Sequence, residues 1–127
     1  MRNTTFAALL SLAALPAAAS DYQSAMQSYL EGNIRGWAQS PVLVEAINGQ
    51  NNETQGLDQA AVDAMDLQWR AEVGSEGSTL INEVLNNSAA EFLREQVEQS
   101  GGRITEVFIM DAQGLNVAAS GTTSDMW

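Results

Sequence analysis

The run Arg103-Ile104-Thr105-Glu106-Val107-Phe108-Ile109-Met110, the tetrapeptide Asp111-Ala112-Gln113-Gly114 and the run Leu115-Asn116-Val117-Ala118-Ala119-Ser120 decide the fold. The first run is rich in β-branched residues and turns apolar on both faces toward its end, which reads as a strand interior to a sheet. In the tetrapeptide, Asp can accept from the amides that follow it and Gly can take positive φ, so it reads as a turn. The third run is then a second strand that closes a hairpin. Two strands do not form an independently stable sheet, so this hairpin needs further strands or a helical cover.

Upstream the period changes from two to between three and four. Tyr22, Met26, Tyr29, Leu30, Ile34 and Trp37 mark one face of a helix from Asp21, its N-cap, to Ser40. Ser40-Pro41 restarts a short helix that should stop at Gly49, because Pro at the first helical position gives up no needed hydrogen bond. Gly49 to Gly56 is polar and glycine-bounded, the signature of a loop. Val62, Met65, Trp69 and Val73 mark a helix from about Asp58 to before Gly74, and Leu80, Ile81, Val84 and Leu85 a short one after it. Ser88-Ala89-Ala90-Glu91 has the form of a capping box, opening a helix that turns Phe92, Leu93 and Val97 inward and ends at Gly101-Gly102. The fold class expected is α+β, a long helix and shorter ones leading into an antiparallel hairpin. Beyond it, Thr122 to Trp127 reads as a polar loop whose terminal Trp has nothing obvious to pack on.

The first residues carry a different message. Met1-Arg2-Asn3 precedes an apolar run, Phe6 to Leu15, and then Pro16-Ala17-Ala18-Ala19, which is the pattern of a secretory signal peptide cut after Ala19. The run is shorter than the roughly 20 residues a spanning helix needs. Residues 1–19 are therefore expected to be removed and residues 20–127 to form one periplasmic domain, with no membrane insertion after cleavage.

Composition excludes much chemistry. The 127 residues include no Cys and no His, which removes disulfides, Cys/His zinc sites, haem attachment, iron–sulfur clusters and His-based nucleophile activation. No cofactor is expected. Sixteen acidic residues face five arginines, a formal charge of −11. Loss of Arg2 with the leader would make it more negative still. Nucleic acid and anionic lipid are thereby excluded as partners.

Taken in order, Glu106 to Trp127, with its strand, Asp-x-x-Gly turn, strand and polar loop, resembles the first hairpin of the Cache (PDC) family of extracytoplasmic PAS-like sensor domains. Ser40 to Ala46 and Leu67 to Glu72 are similar to the region before that hairpin in small exported single-domain members. The resemblance implies a PAS-like antiparallel sheet of which only the first hairpin is present. It also implies a small-molecule ligand, a membrane sensor as partner, and a pocket loop in which Thr123, Asp125 and Trp127 contact the ligand, Trp as apolar wall and Asp as acceptor for a cationic or polar ligand. Met126 stands where the family carries an aromatic, and family members continue with a helix and more strands. On that reading the domain is incomplete at its C-terminus, and its open strand edge favours a homodimer.

Other constellations read as structure. Asp111 with Asn116 lacks the spacing of a calcium loop. Asp63 with Asp66, and Glu91 with Glu95 and Glu98, fall on polar helical faces, and Asp66 with Arg70 forms an exposed pair of the kind that contributes about 0.2–0.5 kcal/mol. Trp37 and Trp69 lie in apolar stripes. No enzymatic activity is expected. The function classes left open are a periplasmic binding or sensory module, a helical protein that pairs with another chain through its hairpin, and, least favoured, a hydrolase using carboxylates alone.

Overall fold

A computed structural model describes residues 17–127, with side chains from Tyr22 onward. The expected signal peptide, residues 1–19, and its cleavage site lie outside the residues whose side chains are described. The described chain divides into two compact units meeting between Trp37 and Ala38.

In the first unit, α1 (Ala17–Tyr29) runs into a π-helical turn (Leu30–Ile34) and then α2 (Arg35–Ala38). The helix begins four residues before Asp21, which is therefore not its N-cap, because Ala17-Ala18-Ala19 are the strongest helix formers and extend it upstream. The wider turn is closed by the Arg35 amide donating to the Leu30 carbonyl. Tyr22 and Met26, expected on an inward stripe, are well exposed.

The second unit holds α3 (Pro41–Thr54), α4 (Gln59–Glu72), α5 (Thr79–Leu85), α6 (Ser88–Gln99), β1 (Phe108–Met110) and β2 (Asn116–Ala119). The fold is α+β, a helical region leading into an antiparallel hairpin. Pro41 opens α3 after an extended Ser40, as the sequence predicts. The helix then passes straight through Gly49 instead of stopping there, and the predicted loop is largely helical. A mid-helix Gly costs about 1 kcal/mol relative to Ala. What offsets it lies one turn on: Gln50 and Thr54, four apart on one face, both donate to the buried carboxylate of Asp111, at 3.0 and 2.8 Å. Asn51 adds its side-chain oxygen as acceptor for the Ala112 amide, at 2.7 Å.

Asp58 caps α4, its carboxylate accepting from the Ala61 amide. At α5, Glu72 reaches across from the preceding helix to accept from the Ile81 amide at 3.0 Å. The cap of α6 is Asn87 and not Ser88, which is the helix's first residue. Asn87 wins because it satisfies both sides of the junction: its oxygen accepts from the Ala90 amide while its Nδ2 donates to Val117 of β2, at 3.1 Å.

The hairpin pairs Phe108 with Ala119, Ile109 with Ala118 and Met110 with Asn116, leaving Val117 as the bulged residue. The ladder is shorter than predicted. Before Phe108 the Ser100 hydroxyl accepts the Ile104 amide, and Val107 exchanges hydrogen bonds with the amide and hydroxyl of Ser120. All four residues of β2 are buried. By contrast β1 is an edge strand and not an interior one, with Phe108 44% and Met110 49% exposed.

The core joins Val62, Trp69, Leu80, Ile81, Val84, Leu115 and Ala119 with Met126, only 2% exposed. Met126 overturns the reading of residues 122–127 as an unpacked polar loop. Three anchors fold this segment back: the Asn116 amide donates to the Met126 carbonyl at 2.9 Å, the Trp69 indole N–H to the Thr123 carbonyl at 2.9 Å, and Asp66 accepts from the Met126 and Trp127 amides. No helix among the described residues is long and apolar enough to cross a membrane.

Candidate functional site

The returning segment and the outer face of the hairpin enclose a cavity of about 400 Å³. Alternation along β1 turns Phe108 and Met110 to this face. The turn supplies Gly114, β2 supplies Asn116, and the segment after β2 supplies Thr123, Asp125 and Trp127. All three site residues named from the sequence therefore line one cavity. Glu106, Phe108 and Met110 were not among them. The signal that could have found them is the alternation of the first strand, which sets Glu106, Phe108 and Met110 on one face two residues apart.

The roles differ from those expected. Thr123 is committed to the fold: its hydroxyl donates to the Asp125 carbonyl at 2.7 Å and accepts from Asn116 Nδ2 at 3.1 Å. Asn116 Nδ2 also donates to the Asp125 carbonyl, so the two side chains together shape the loop. The Asp125 carboxylate accepts from Ser124 at Oδ2, and its Oδ1 has no hydrogen bond among the described residues. Glu106 likewise has no ion pair or hydrogen bond there.

Trp127 does have something to pack on. Its indole N–H donates to the Gln113 carbonyl at 2.9 Å, and its ring edge sits over Gly114, where a Cβ would meet Nε1 at 3.2 Å. Gly114 takes φ +85°, so both the turn and the close approach require glycine. The residue remains 53% exposed.

Asp66 is not the solvated surface carboxylate the sequence suggests, its side chain being 13% exposed. Burial would raise its pKa. The hydrogen bonds from Arg70 and from the Met126 and Trp127 amides, with the Arg70 charge, outweigh that and hold it below the usual carboxylate range. Asp111 follows the same logic: burial pushes it up, and Gln50, Thr54 and the amides of Leu115 and Gln113 pull it lower. With those four partners Asp111 is the keystone of the turn and not a free ligand. Among the described residues no group of three or more acidic side chains is placed to hold a metal ion.

A wider, more open groove of about 590 Å³ runs along α3 past the start of α6, between Glu45, Glu53 and Ala89. The hairpin cavity is the better candidate despite its smaller size, because it combines half-exposed aromatic rings with unpaired carboxylate oxygens, whereas the groove has no aromatic wall. Comparison with protein-family models, with curated proteins and with solved structures finds no match to this chain.

Proposed function

We propose that the chain is an exported, periplasmic small-molecule-binding module of the PAS-like Cache type, which reports ligand occupancy to a membrane partner and catalyses nothing. The observation that carries this reading is the cavity against the hairpin, lined by Asp125 and Trp127 and backed by Phe108 and Met110. Its size suits a metabolite of a few heavy atoms, and its walls combine apolar surface with a few polar groups, as ligand pockets do. Thr123 and Asn116 act in it as positioning residues.

The test is a thermal-shift screen of small polar metabolites against the protein. A ligand at a hundred times its Kd stabilises by about 2.7 kcal/mol. Hits should be lost in Trp127→Ala and Asp125→Ala but retained in Glu45→Gln. Hits that survive both cavity substitutions would remove the cavity from the reading. Export is tested by N-terminal sequencing of periplasmic material, expected to begin at Ser20 or Asp21; a chain still beginning at Met1 would overturn it.

A second reading, a helical protein that pairs with another chain through its hairpin, is favoured by one observation: among the described residues β1 has a single strand neighbour, and it exposes Phe108 and Met110. A dimer whose formation is blocked by a charge at Met110 would support it.

A further inference from the structure

We infer that the hairpin cavity selects a small organic cation, an alkylammonium group, over neutral and anionic molecules of the same shape. This rests on the reading of the cavity as a ligand site and adds the charge of the ligand. Among the described residues two carboxylates line the cavity, Glu106 and Asp125, and no Arg does. Among the described residues Glu106 has no ion pair or hydrogen bond, although it shares a neighbouring groove with Arg94, and Asp125 keeps Oδ1 free.

The apolar walls point the same way. The edge of the Trp127 indole is used up by its bond to the Gln113 carbonyl and its seat on Gly114, which leaves the electron-rich ring face to a ligand. Phe108, half exposed on the adjacent strand, offers a second ring. A cation over such faces is attracted by the ring quadrupole, and the attraction is stronger for alkylated ammonium, which sheds its water more readily than a bare one. Donors are the missing element: the Thr123 hydroxyl and both Asn116 Nδ2 bonds serve the loop. An anion would therefore meet two like charges and few free hydrogen-bond donors.

The experiment uses three size-matched probes: choline, its neutral isostere 3,3-dimethylbutan-1-ol, and 3,3-dimethylbutyrate. Each is titrated into the protein at low salt while the Trp127 indole N–H signal is followed by NMR. Choline should bind at least tenfold more tightly than the alcohol, and the butyrate should not bind. Glu106→Gln and Asp125→Asn should each weaken choline several-fold and leave the alcohol unchanged. Glu45→Gln removes the same net charge outside the cavity and should change neither. Equal or tighter binding of the alcohol or the butyrate at Trp127 overturns the cation inference while the cavity remains a ligand site. If none of the three perturbs Trp127, the cation inference is overturned, while the reading of the cavity as a ligand site stands or falls with the metabolite screen.

Discussion

Replacing Asp111 by Asn should cost about 2–3 kcal/mol, because its carboxylate joins α3 to the turn through four hydrogen bonds. In the native protein Oδ1 accepts from the Gln113 and Leu115 amides at 2.9 and 3.0 Å, while Oδ2 accepts from Gln50 and Thr54. Asn keeps the volume and the carbonyl needed for the two turn amides. It replaces Oδ2 by an NH₂ that faces two donors in a site 7% exposed. Hydrogen bonds to charged acceptors contribute about 1.5–3 kcal/mol each. The loss is less than their sum because Thr54 retains the Gln50 carbonyl, and Gln50 retains the carbonyls of Leu115 and Asn116. For a unit of this size about 1 kcal/mol moves Tm by roughly 4–8 °C, so the midpoint should fall by about 10–20 °C. Thermal and urea unfolding followed by far-UV circular dichroism read this directly. The carboxyl is held below its unfolded value near 3.9, so its contribution is complete above about pH 4 and is lost as the pH falls through the folded value. The variant should therefore show a flatter stability profile on the acid side. An Asn variant that unfolds within about 0.5 kcal/mol of wild type, with an unchanged acid limb, would refute the assignment of Asp111 as the group joining α3 to the turn.

Four further substitutions test the segment after β2 and the start of α3. Gly114→Ala forces a Cβ onto positive φ and into the Trp127 indole, so it should cost roughly 1–2 kcal/mol and shift the Trp127 indole signal toward that of a solvated ring. Asp66→Ala should speed amide exchange at Met126 and Trp127 and destabilise by about 1–2 kcal/mol, while Arg70→Ala, which removes only the exposed partner, should change stability by less than about 0.5 kcal/mol. Ser40→Ala should be neutral or slightly stabilising in urea titrations, because the Ser40 hydroxyl is buried without a partner and makes no cap bond; a loss near the ordinary N-cap value of about 1 kcal/mol would contradict that geometry.

What could be read from the sequence was whatever is decided locally. Pro41, Asp58 and the Asp111 to Gly114 turn each carry their signal within a few residues, and each stands where expected. What could not be read was decided by a partner far along the chain. Gly49 looks like a stop until Asp111, sixty-odd residues later, rewards the turn of helix beyond it. Asn87 outcompetes Ser88 as a cap because of Val117. Asp66 looks like half of a surface pair until the chain end returns to it. The cavity residues divide along the same line. Asp125 and Trp127 were named from a motif, whereas Glu106 and Phe108 join them only through the pairing of β1 with β2.

On the proposed reading the cavity has a stable back and a wall of lower local stability. Its back is the hairpin, whose strand β2 is fully buried and packed against α5 and α6, so this side belongs to the most stable part of the unit. Its wall, Thr123 to Trp127, is tied by a few long-range hydrogen bonds and by one buried side chain, Met126. Segments held by few contacts open at lower free energy than the unit as a whole. A ligand touching Asp125 or the Trp127 ring favours the closed wall by its differential affinity and by nothing else. Because the Met126 and Trp127 amides share Asp66 with Arg70 of α4, ordering of the wall is coupled to one exposed face of a helix.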